Sequence, residues 1–243
     1  MERVGQGIDR AIIFGASGGI GAALVEALIA RGADTVFAAS RTRPEGLADA
    51  AQWVRFDLDD ESSITAAAET VGTPLDCAIV ASGLLTLPDG TGPERSYKQV
   101  EGEAMARVFH LNTIGPALIA KHFLPLLTRD RRSIFAALSA RVGSIGDNRI
   151  GGWHSYRASK AALNMLIRNY AIELGRTHSQ AVCVALHPGT VETALSGPFQ
   201  ANLPEGQLTA PAQAARNLLD VLDGLGPQDS GQLFDWAGKR VEF

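Results

Sequence analysis

Residues 10–31 read RAIIFGASGGIGAALVEALIAR, and they join two apolar segments through a turn that is rich in glycine. The short apolar run at 10–14 predicts a buried strand. The longer segment, at about 19–31, has the apolar spacing of a helix that packs on a sheet, and Gly32 favours its end. A strand, a glycine turn and a helix in this order predict the first unit of a parallel α/β sheet.

The same alternation continues to the end of the chain. Runs of β-branched residues predict strands, and the amphipathic segments between them predict crossover helices. The further strands are predicted at 35–39, 53–56, 77–81, 133–138, 181–186 and 232–234, and the helices from Asp60 and at 100–127, 156–175 and 211–222. Pro116 and Pro125 are expected to kink or segment the stretch at 100–127. We therefore expect a Rossmann-like, doubly wound parallel sheet of about seven strands with helices on both faces.

The composition excludes several classes of protein. Hydrophobic residues make up 46% and charged residues 20% of the chain, so it can bury a core and is not disordered. The formal charge is -4 and no basic stripe is present, which argues against a nucleic-acid partner. Cys77 and Cys183 lie in apolar runs, as buried thiols do in a reducing compartment. No apolar stretch approaches the roughly 18 residues of a membrane span. We expect a soluble, cytoplasmic protein with one domain over residues 1–243.

The glycine turn indicates a nucleotide site. Glycine has no Cβ where the backbone must approach a pyrophosphate, and a helix N-terminus offers unpaired N–H groups and a positive dipole end to the anion. The position of the turn between a first strand and a helix predicts dinucleotide binding. The residues expected to bind the phosphates are Gly15, Ser17, Gly18, Gly19, Ile20 and Gly21.

The end of the second strand predicts which dinucleotide binds. An acid at this position binds the ribose hydroxyls of NAD(H), but here the chain has Ser40 and Arg41, while Asp34 lies at the opposite end of the strand. A cation beside a hydroxyl suits a 2′-phosphate, so we predict NADP(H) in preference to NAD(H); a solvated Arg41 is the alternative. Asp57 and Leu58 end the third strand, where Asp57 either accepts a bond from the adenine amino group or caps the next helix.

Tyr156 and Lys160 stand four residues apart, so they lie on one face of the predicted helix. A phenol is a poor acid at neutral pH, but a neighbouring ammonium stabilises the phenolate and favours proton transfer. Such a pair also occurs by chance on many helix surfaces. Its combination with the glycine turn is what makes it specific.

These motifs resemble the short-chain dehydrogenase/reductase family over nearly the whole chain. The matching elements are Gly15-x-x-x-Gly19-x-Gly21, Asn112 in HLNTIGP, Tyr156-x-x-x-Lys160, and Pro188-Gly189 followed by Thr193. Within the family, the stretch at 139–164, SARVGSIGDNRIGGWHSYRASKAALN, is similar to the small carbonyl reductases and C-factor proteins.

The resemblance implies roles for individual residues. Tyr156 is implied as the general acid/base, Lys160 as the group that lowers its pKa and holds the nicotinamide ribose, and Asn112 as a holder of a relay water in a kinked helix. The loop that begins at His187 borders the nicotinamide, with contacts from Pro188, Gly189, the Val191 backbone and the Thr193 hydroxyl. We interpret His187 itself as a packed, hydrogen-bonded histidine, and the five histidines have no metal-ligand spacing.

The chain departs from the family pattern at two places. The family's catalytic serine follows another hydroxyl residue, but here the pair is Ser139 and Ala140. We prefer Ser139 for the role, and Ser144, which lies 12 residues before Tyr156, is the alternative. The second departure is Ala81-Ser82-Gly83, where the family has Asn-Asn-Ala-Gly; its backbone is still expected to approach the adenine ribose.

The motifs together predict an NADP(H)-dependent oxidoreductase. It would transfer hydride between the nicotinamide and a carbonyl or alcohol substrate, which is a small molecule. The alternative is a regulatory or signalling protein, similar to C-factor, that binds the cofactor with little or no turnover. The resemblance also implies a homo-oligomer, either a dimer or a tetramer. Trp153, Leu195, Phe199 and Leu203 suggest an apolar substrate surface, although core packing explains them equally well.

Overall fold

The computed structural model describes residues 7–202 and 207–243, and its centre is a sheet of eight strands. The strands of the chain are β1 (Arg10–Phe14), β2 (Thr35–Ser40), β3 (Ala51–Arg55), β4 (Cys77–Val80), β5 (Ser133–Leu138), β6 (Ala181–His187), β7 (Thr190–Val191), β8 (Leu208–Thr209), β9 (Leu233–Asp235) and β10 (Arg240–Val241). The helices are α1 (Gly19–Ala30), α2 (Glu61–Val71), α3 (Gly102–Phe109), α4 (Gly115–Phe123), α5 (His154–Leu174) and α6 (Pro211–Gly224).

The order of strands in the main sheet is β10-β9-β6-β5-β4-β1-β2-β3. All pairs are parallel except β9 with β10, which are antiparallel. The prediction of a doubly wound parallel sheet is confirmed, with eight strands instead of about seven. The strand order reverses between β1 and β4, because β2 continues to one side of β1 and β4 lies on the other. In such sheets the ligand crevice opens at the carboxyl ends of the strands beside this reversal.

Both faces of the sheet are covered by helices. One face packs on α1 and α6 through Leu24, Leu28, Leu218 and Leu222. The other packs on α2, α4 and α5 through Ile64, Ile119, Leu163 and Ile167. Phe14, at the end of β1, is fully buried on this second face, with its ring centroid 5.2 Å from that of Phe56 and 4.7 Å from that of Phe123. The core thus extends up to the residue that precedes the glycine turn.

The predicted helix at 100–127 is divided in the structure. It consists of α3, a π-helical turn at His110–Ile114, α4 and a 3₁₀ turn at Leu124–Leu126. This division agrees with the expectation that Pro116 and Pro125 kink or segment the stretch, because Pro116 lies in the first turn of α4, directly after the π-helical turn. The irregular turn surrounds Asn112, and Pro125 lies in the closing 3₁₀ turn.

The other predicted bounds agree with the structure to within two residues, and β1 and β5 agree at both ends. The short strands β7, β8 and β10 were not predicted. Each of these strands has two residues, which is too few to show a period in the sequence. The pair β7 and β8 forms a separate small sheet next to the carboxyl end of β6.

Replacement of the buried Phe14 tests the core next to the glycine turn. We expect Phe14→Ala to lower the free energy of unfolding by about 3–5 kcal/mol, because it removes a fully buried ring and leaves a cavity. Urea denaturation followed by circular dichroism measures the loss. Ile172→Ala is the control, since that side chain is half exposed on α5 and its loss is expected to stay below about 1 kcal/mol. Equal losses for the two variants would contradict the described core.

Candidate active site

The glycine turn brings the ends of β1 and β4 into close contact. Gly15 has φ +83°, a left-handed conformation, and a Cβ there would lie 2.9 Å from the backbone nitrogen of Ser82. A Cβ on Gly21 would collide with the carbonyl oxygen of Gly15. The turn therefore requires glycine at both positions for its own packing, apart from any ligand.

The N-terminus of α1 faces outward from this turn. Gly18 is its N-cap, and no side chain caps the helix. Ser17, Gly18 and Gly19 are exposed, while Ile20 is half-buried. Ser82, which touches Gly15, has a buried hydroxyl with no hydrogen-bond partner in the described chain. An uncapped helix end beside an unpartnered hydroxyl fits an anionic group, and the pyrophosphate of a dinucleotide is such a group.

Ser40 and Arg41 have different surroundings at the end of β2. The Ser40 hydroxyl is engaged within the chain, because it donates to the Thr42 carbonyl at 2.8 Å and accepts from Trp53 Nε1 at 3.2 Å. Arg41 is exposed. The pKa of nearby Asp59 is lowered mainly by a hydrogen bond from Arg107, and the charge of Arg41 lowers it to a lesser extent. Arg41 is thus a cation at this strand end that faces solvent, as Arg43 also does.

Asp57 and Leu58 lie where the third strand ends. Asp57 Oδ1 accepts the N–H of Asp59 at 3.1 Å, and the cap of α2 is Asp60, whose Oδ1 accepts the N–H of Ser62 at 3.0 Å. The alternative interpretation of Asp57 as the helix cap is therefore wrong. Leu58 is buried against Gly115, where a Cβ would lie 2.7 Å from Leu58 Cδ2.

The segment after β4 is held by Asn112. The side chain of Asn112 accepts the N–H of Leu84 at 2.7 Å and donates to the carbonyl of Leu84 at 2.8 Å. Between Ala81-Ser82 and Leu84, a Cβ on Gly83 would lie 3.4 Å from both Asn112 Oδ1 and Lys160 Nζ. The residues that the sequence predicted from three separate motifs therefore meet at Gly83.

Tyr156 and Lys160 are both buried, with exposed fractions of 9% and 3%. Lys160 Nζ donates to the Leu138 carbonyl at 2.8 Å and lies 5.8 Å from the centroid of the Tyr156 ring. Burial raises the pKa of Tyr156 to about 12 and lowers that of Lys160 to about 8. Desolvation is the cause of both shifts. The role of Lys160 in lowering the pKa of Tyr156, which the resemblance implied, stays a prediction.

The hydroxyls of both predicted serines form hydrogen bonds with residues other than Tyr156. Ser139 Oγ donates to Asn164 Oδ1 at 2.7 Å, and Asn164 lies eight residues, about two helical turns, along α5 from Tyr156. Ser144 Oγ accepts the N–H of Asp147 at 3.0 Å. From this region, Ala140 belongs to the apolar cluster around Tyr156, and Val142 packs against that cluster. The role of Ser139, or of Ser144, stays a prediction.

The loop after β6 closes over the glycine turn. A Cβ on Gly19 would lie 2.9 Å from Thr193 Cγ2, and a Cβ on Gly189, which follows Pro188, would lie 3.0 Å from Trp236 Cδ1. Ser196 fixes the loop, since its hydroxyl donates to the Val191 carbonyl at 2.5 Å. The sequence analysis did not single out Ser196, because a serine in an irregular segment carries no periodic signal.

His187 is packed but is not fully hydrogen-bonded. Its Nδ1 is buried and has no partner among the residues that the structure describes. Burial lowers the pKa of the ring to about 4, so the imidazole is neutral at pH 7. The expectation of a fully satisfied histidine is therefore wrong for this nitrogen.

A cavity of about 750 Å³ opens beside Tyr156. Its apolar wall includes Trp153 and Phe199, whose ring centroids are 5.2 Å apart, together with Leu85, Val108 and Pro198.

Leu195 is 40% exposed and is not part of the lining, and Leu203 lies outside the described residues. Several polar lining residues, among them Glu94 and Thr86, were not predicted from the sequence. A single acid or threonine in a turn-rich segment has no pattern that marks it.

The described ranges contain neither a cluster of metal ligands nor a membrane-spanning helix. No group of three histidine, cysteine, aspartate or glutamate residues there could hold a metal ion. No helix within 7–202 or 207–243 is both long and apolar enough to span a membrane.

Several known proteins are similar to this chain in sequence or in structure. C-signal of Myxococcus xanthus is 41% identical over 139 residues, which cover 57% of this chain and 78% of that protein. The 1-hydroxy-2-glutathionyl-2-methyl-3-butene dehydrogenase of Rhodococcus sp. AD45 is 32% identical over 237 residues and 96% of this chain, covering 98% of that protein. The crystal structure of NADPH-bound carbonyl reductase from chicken fatty liver matches with a TM-score of 0.81 and 28% identity, covering 98% of this chain and all of that one. A model of the short chain dehydrogenase family matches residues 9–204, so the chain belongs to the short-chain dehydrogenase family of oxidoreductases.

Proposed function

We propose that this protein is an NADP(H)-dependent oxidoreductase that transfers hydride between the nicotinamide and a carbonyl or alcohol substrate. The observation that carries the proposal is the meeting of Asn112 and Gly83 with Lys160, whose Nζ lies 5.8 Å from the ring centroid of Tyr156, a residue that lines a cavity of about 750 Å³. The cofactor would be held by the glycine turn, by Ser82 and Gly83, by Lys160 and by the loop from Pro188 to Thr193. When bound, it supplies or accepts the hydride.

Tyr156 is the proposed proton donor for reduction. Its phenol lines the cavity, and a pKa raised by burial keeps it protonated at neutral pH. Donation to the carbonyl oxygen neutralises the alkoxide as it forms. Lys160, whose ammonium is near the ring, stabilises the phenolate that remains, and its pKa of about 8 leaves most of it charged at pH 7.

Asn112 has a positioning role in this proposal. Asn112 lies in the π-helical turn and forms two hydrogen bonds with the backbone of Leu84. Its Nδ2 also donates to Ser159 Oγ at 3.2 Å. Ser159 Oγ in turn donates to the Tyr156 carbonyl at 2.8 Å. These bonds connect the loop after β4 to the turn of α5 that carries Tyr156. A relay water at Asn112, as the family resemblance implies, belongs to the same proposal.

For a second hydrogen-bond donor to the substrate oxygen, we propose Ser139, with Ser144 as the alternative. Ser139 would have to exchange its bond to Asn164 for one to the substrate. Ala140 provides no hydroxyl beside Tyr156, so the phenol carries most of the stabilisation of the oxygen.

The cavity wall favours a carbonyl compound with an apolar or aromatic body. Trp153, Phe199 and Leu85 present flat and aliphatic surface next to Tyr156. The names of two relatives, a carbonyl reductase and a dehydrogenase of a glutathionyl alcohol, are compatible with this substrate class. A single domain over 1–243 and a homo-oligomeric state, dimer or tetramer, are further parts of the proposal.

The second candidate function is regulation or signalling with little turnover. The likeness to C-signal supports it, and so does Ala140 beside Tyr156, because the missing hydroxyl weakens the site for chemistry. A panel of aldehydes, ketones and alcohols, monitored by nicotinamide absorbance, distinguishes the two functions. Turnover above background supports the oxidoreductase, and tight NADP(H) binding without turnover on the whole panel supports the signalling role.

Substitution of the tyrosine tests the proton donor. We expect Tyr156→Phe to lower kcat by about a thousandfold or more, because the proton and the hydrogen bond to the oxygen are lost together. The Kd for NADPH, measured by fluorescence titration, should remain within about twofold because the ring and Lys160 stay in place. Tyr170→Phe is the matched control on the same helix, and its kcat should be unchanged. Retained activity in Tyr156→Phe would refute the assignment.

The serine assignment is tested by comparing Ser139→Ala with Ser144→Ala. We expect Ser139→Ala to lower kcat by about tenfold, less than Tyr156→Phe, because the hydroxyl must first leave Asn164. Ser144→Ala should change kcat by less than about threefold. Near-normal rates for Ser139→Ala would remove Ser139 from the site, and a larger loss in Ser144→Ala would transfer the role to Ser144.

The cofactor preference is tested at Arg41. A charged hydrogen bond contributes about 1.5–3 kcal/mol, so Arg41→Ala should weaken NADPH binding by about tenfold to a hundredfold. The Kd for NADH should change little, because NADH has no 2′-phosphate for the guanidinium to bind. Arg43→Ala is the neighbouring control. Tighter binding of NADH than of NADPH by the unsubstituted protein would contradict the preference.

A further inference from the structure

The side chain of Glu94 occupies an unusual position for a carboxylate. It is only 8% exposed, and it comes from the loop between β4 and α3, not from the helix that it contacts. Its Oε2 accepts the N–H of Ser155 at 3.1 Å, and its Oε1 accepts the Ser155 hydroxyl. Burial acts to raise the pKa of Glu94, but these hydrogen bonds outweigh it and leave the pKa below its ordinary value. The carboxylate is therefore ionised at neutral pH.

This contact replaces the cap that α5 lacks. Trp153 is the N-cap of α5 and offers no side-chain hydrogen bond to the first turn. The first N–H groups of a helix have no partner within it, and a negative charge is favourable at that end. Glu94 accepts one of these N–H groups, at Ser155, and it does so from a different segment of the chain. Tyr156 is the next residue of the same turn.

The same pair of segments also fixes Trp153. The N–H of Trp153 donates to the Glu94 carbonyl at 2.5 Å. Trp153 has φ 51° and ψ 44°, a left-handed conformation that a residue with a large side chain adopts only when its surroundings hold it there. The ring of Trp153 lies edge-on to Tyr156, with centroids 6.2 Å apart, and forms the apolar wall with Phe199.

We propose that Glu94 is a positioning residue, which fixes the first turn of α5 and thereby aims the Tyr156 phenol and the Trp153 ring into the substrate cavity. Its carboxylate couples the loop that forms one wall of the cavity to the helix that carries the proton donor. This inference rests on the proposed oxidoreductase function. Loss of the coupling displaces the phenol relative to the substrate, and a displacement of about 1 Å is enough to lower a rate by about a hundredfold.

The test compares Glu94→Ala, Glu94→Gln and Ser155→Ala, with NADPH and benzaldehyde as the probe. We expect Glu94→Ala to lower kcat by at least about tenfold while the Kd for NADPH stays within about twofold. Glu94→Gln keeps an oxygen for the Ser155 N–H and should recover most of the loss. Ser155→Ala removes only the hydroxyl bond and should lower kcat by about threefold. Glu103→Ala, an exposed acid on α3, is the control with unchanged kcat.

A fluorescence measurement separates this inference from the function on which it rests. The emission of Trp153 is obtained by subtracting the spectrum of Trp153→Phe from that of the parent protein, and again in the Glu94→Ala background. We expect a red shift of this emission in Glu94→Ala, because the indole is released to solvent. If the unsubstituted protein does not reduce benzaldehyde, the emission alone decides the positioning role.

Three results would overturn the proposal. The first is unchanged kcat and unchanged Trp153 emission in Glu94→Ala. The second is a loss of NADPH affinity equal to the loss of kcat, which would indicate general unfolding instead of misplacement. If Glu94→Ala does not fold, Ser155→Ala decides, and an unchanged kcat in that variant is the third.

Discussion

The close approach of the backbone at Gly15 to the backbone at Ser82 is the constraint on which the site depends. It brings the carboxyl ends of β1 and β4 together at the reversal of strand order. The gap is so small that a Cβ on Gly15 would lie 2.9 Å from the backbone nitrogen of Ser82. The N-terminus of α1 and the loop after β4 consequently share one crevice. Phe14, buried directly before Gly15, ties this junction to the core on the other side of the strand.

Polar groups buried behind the crevice hold α5, the helix that carries Tyr156 and Lys160. Asn112, Thr113 and Ser159 form hydrogen bonds in a region that is almost closed to solvent, and Thr113 Oγ1 donates to the Ser159 carbonyl at 2.9 Å. In such surroundings each bond is costly to leave unmade, so the network specifies one arrangement of the π-helical turn and α5. The same burial raises the pKa of Tyr156 and lowers that of Lys160, so the phenol is protonated at neutral pH, as the proposed role of proton donor requires.

The motifs with local geometry could be predicted from the sequence. The glycine turn, the Tyr156 and Lys160 spacing and the strand at 133–138 follow from residues near one another in the chain, where period and steric rules apply. The resemblance places Asn112 in a kinked helix, and Pro116 and Pro125 are expected to kink or segment the same stretch; the structure divides it with a π-helical turn around Asn112. The partner of the Asn112 side chain could not be predicted, because the backbone of Leu84 lies 28 residues away in the chain.

The sequence by itself determined the fold class, the place of the glycine turn and the pair on α5, because each depends on a short pattern of residues. Only the tertiary structure decided that Ser139 faces Asn164, that Ala140 lies beside Tyr156, and that Glu94 caps α5. It also decided the direction of the pKa shift at Tyr156. The physical reason is the same in each case. Burial, hydrogen-bond partners and contacts across more than one element depend on how distant segments pack, and residue spacing along one segment does not encode that packing.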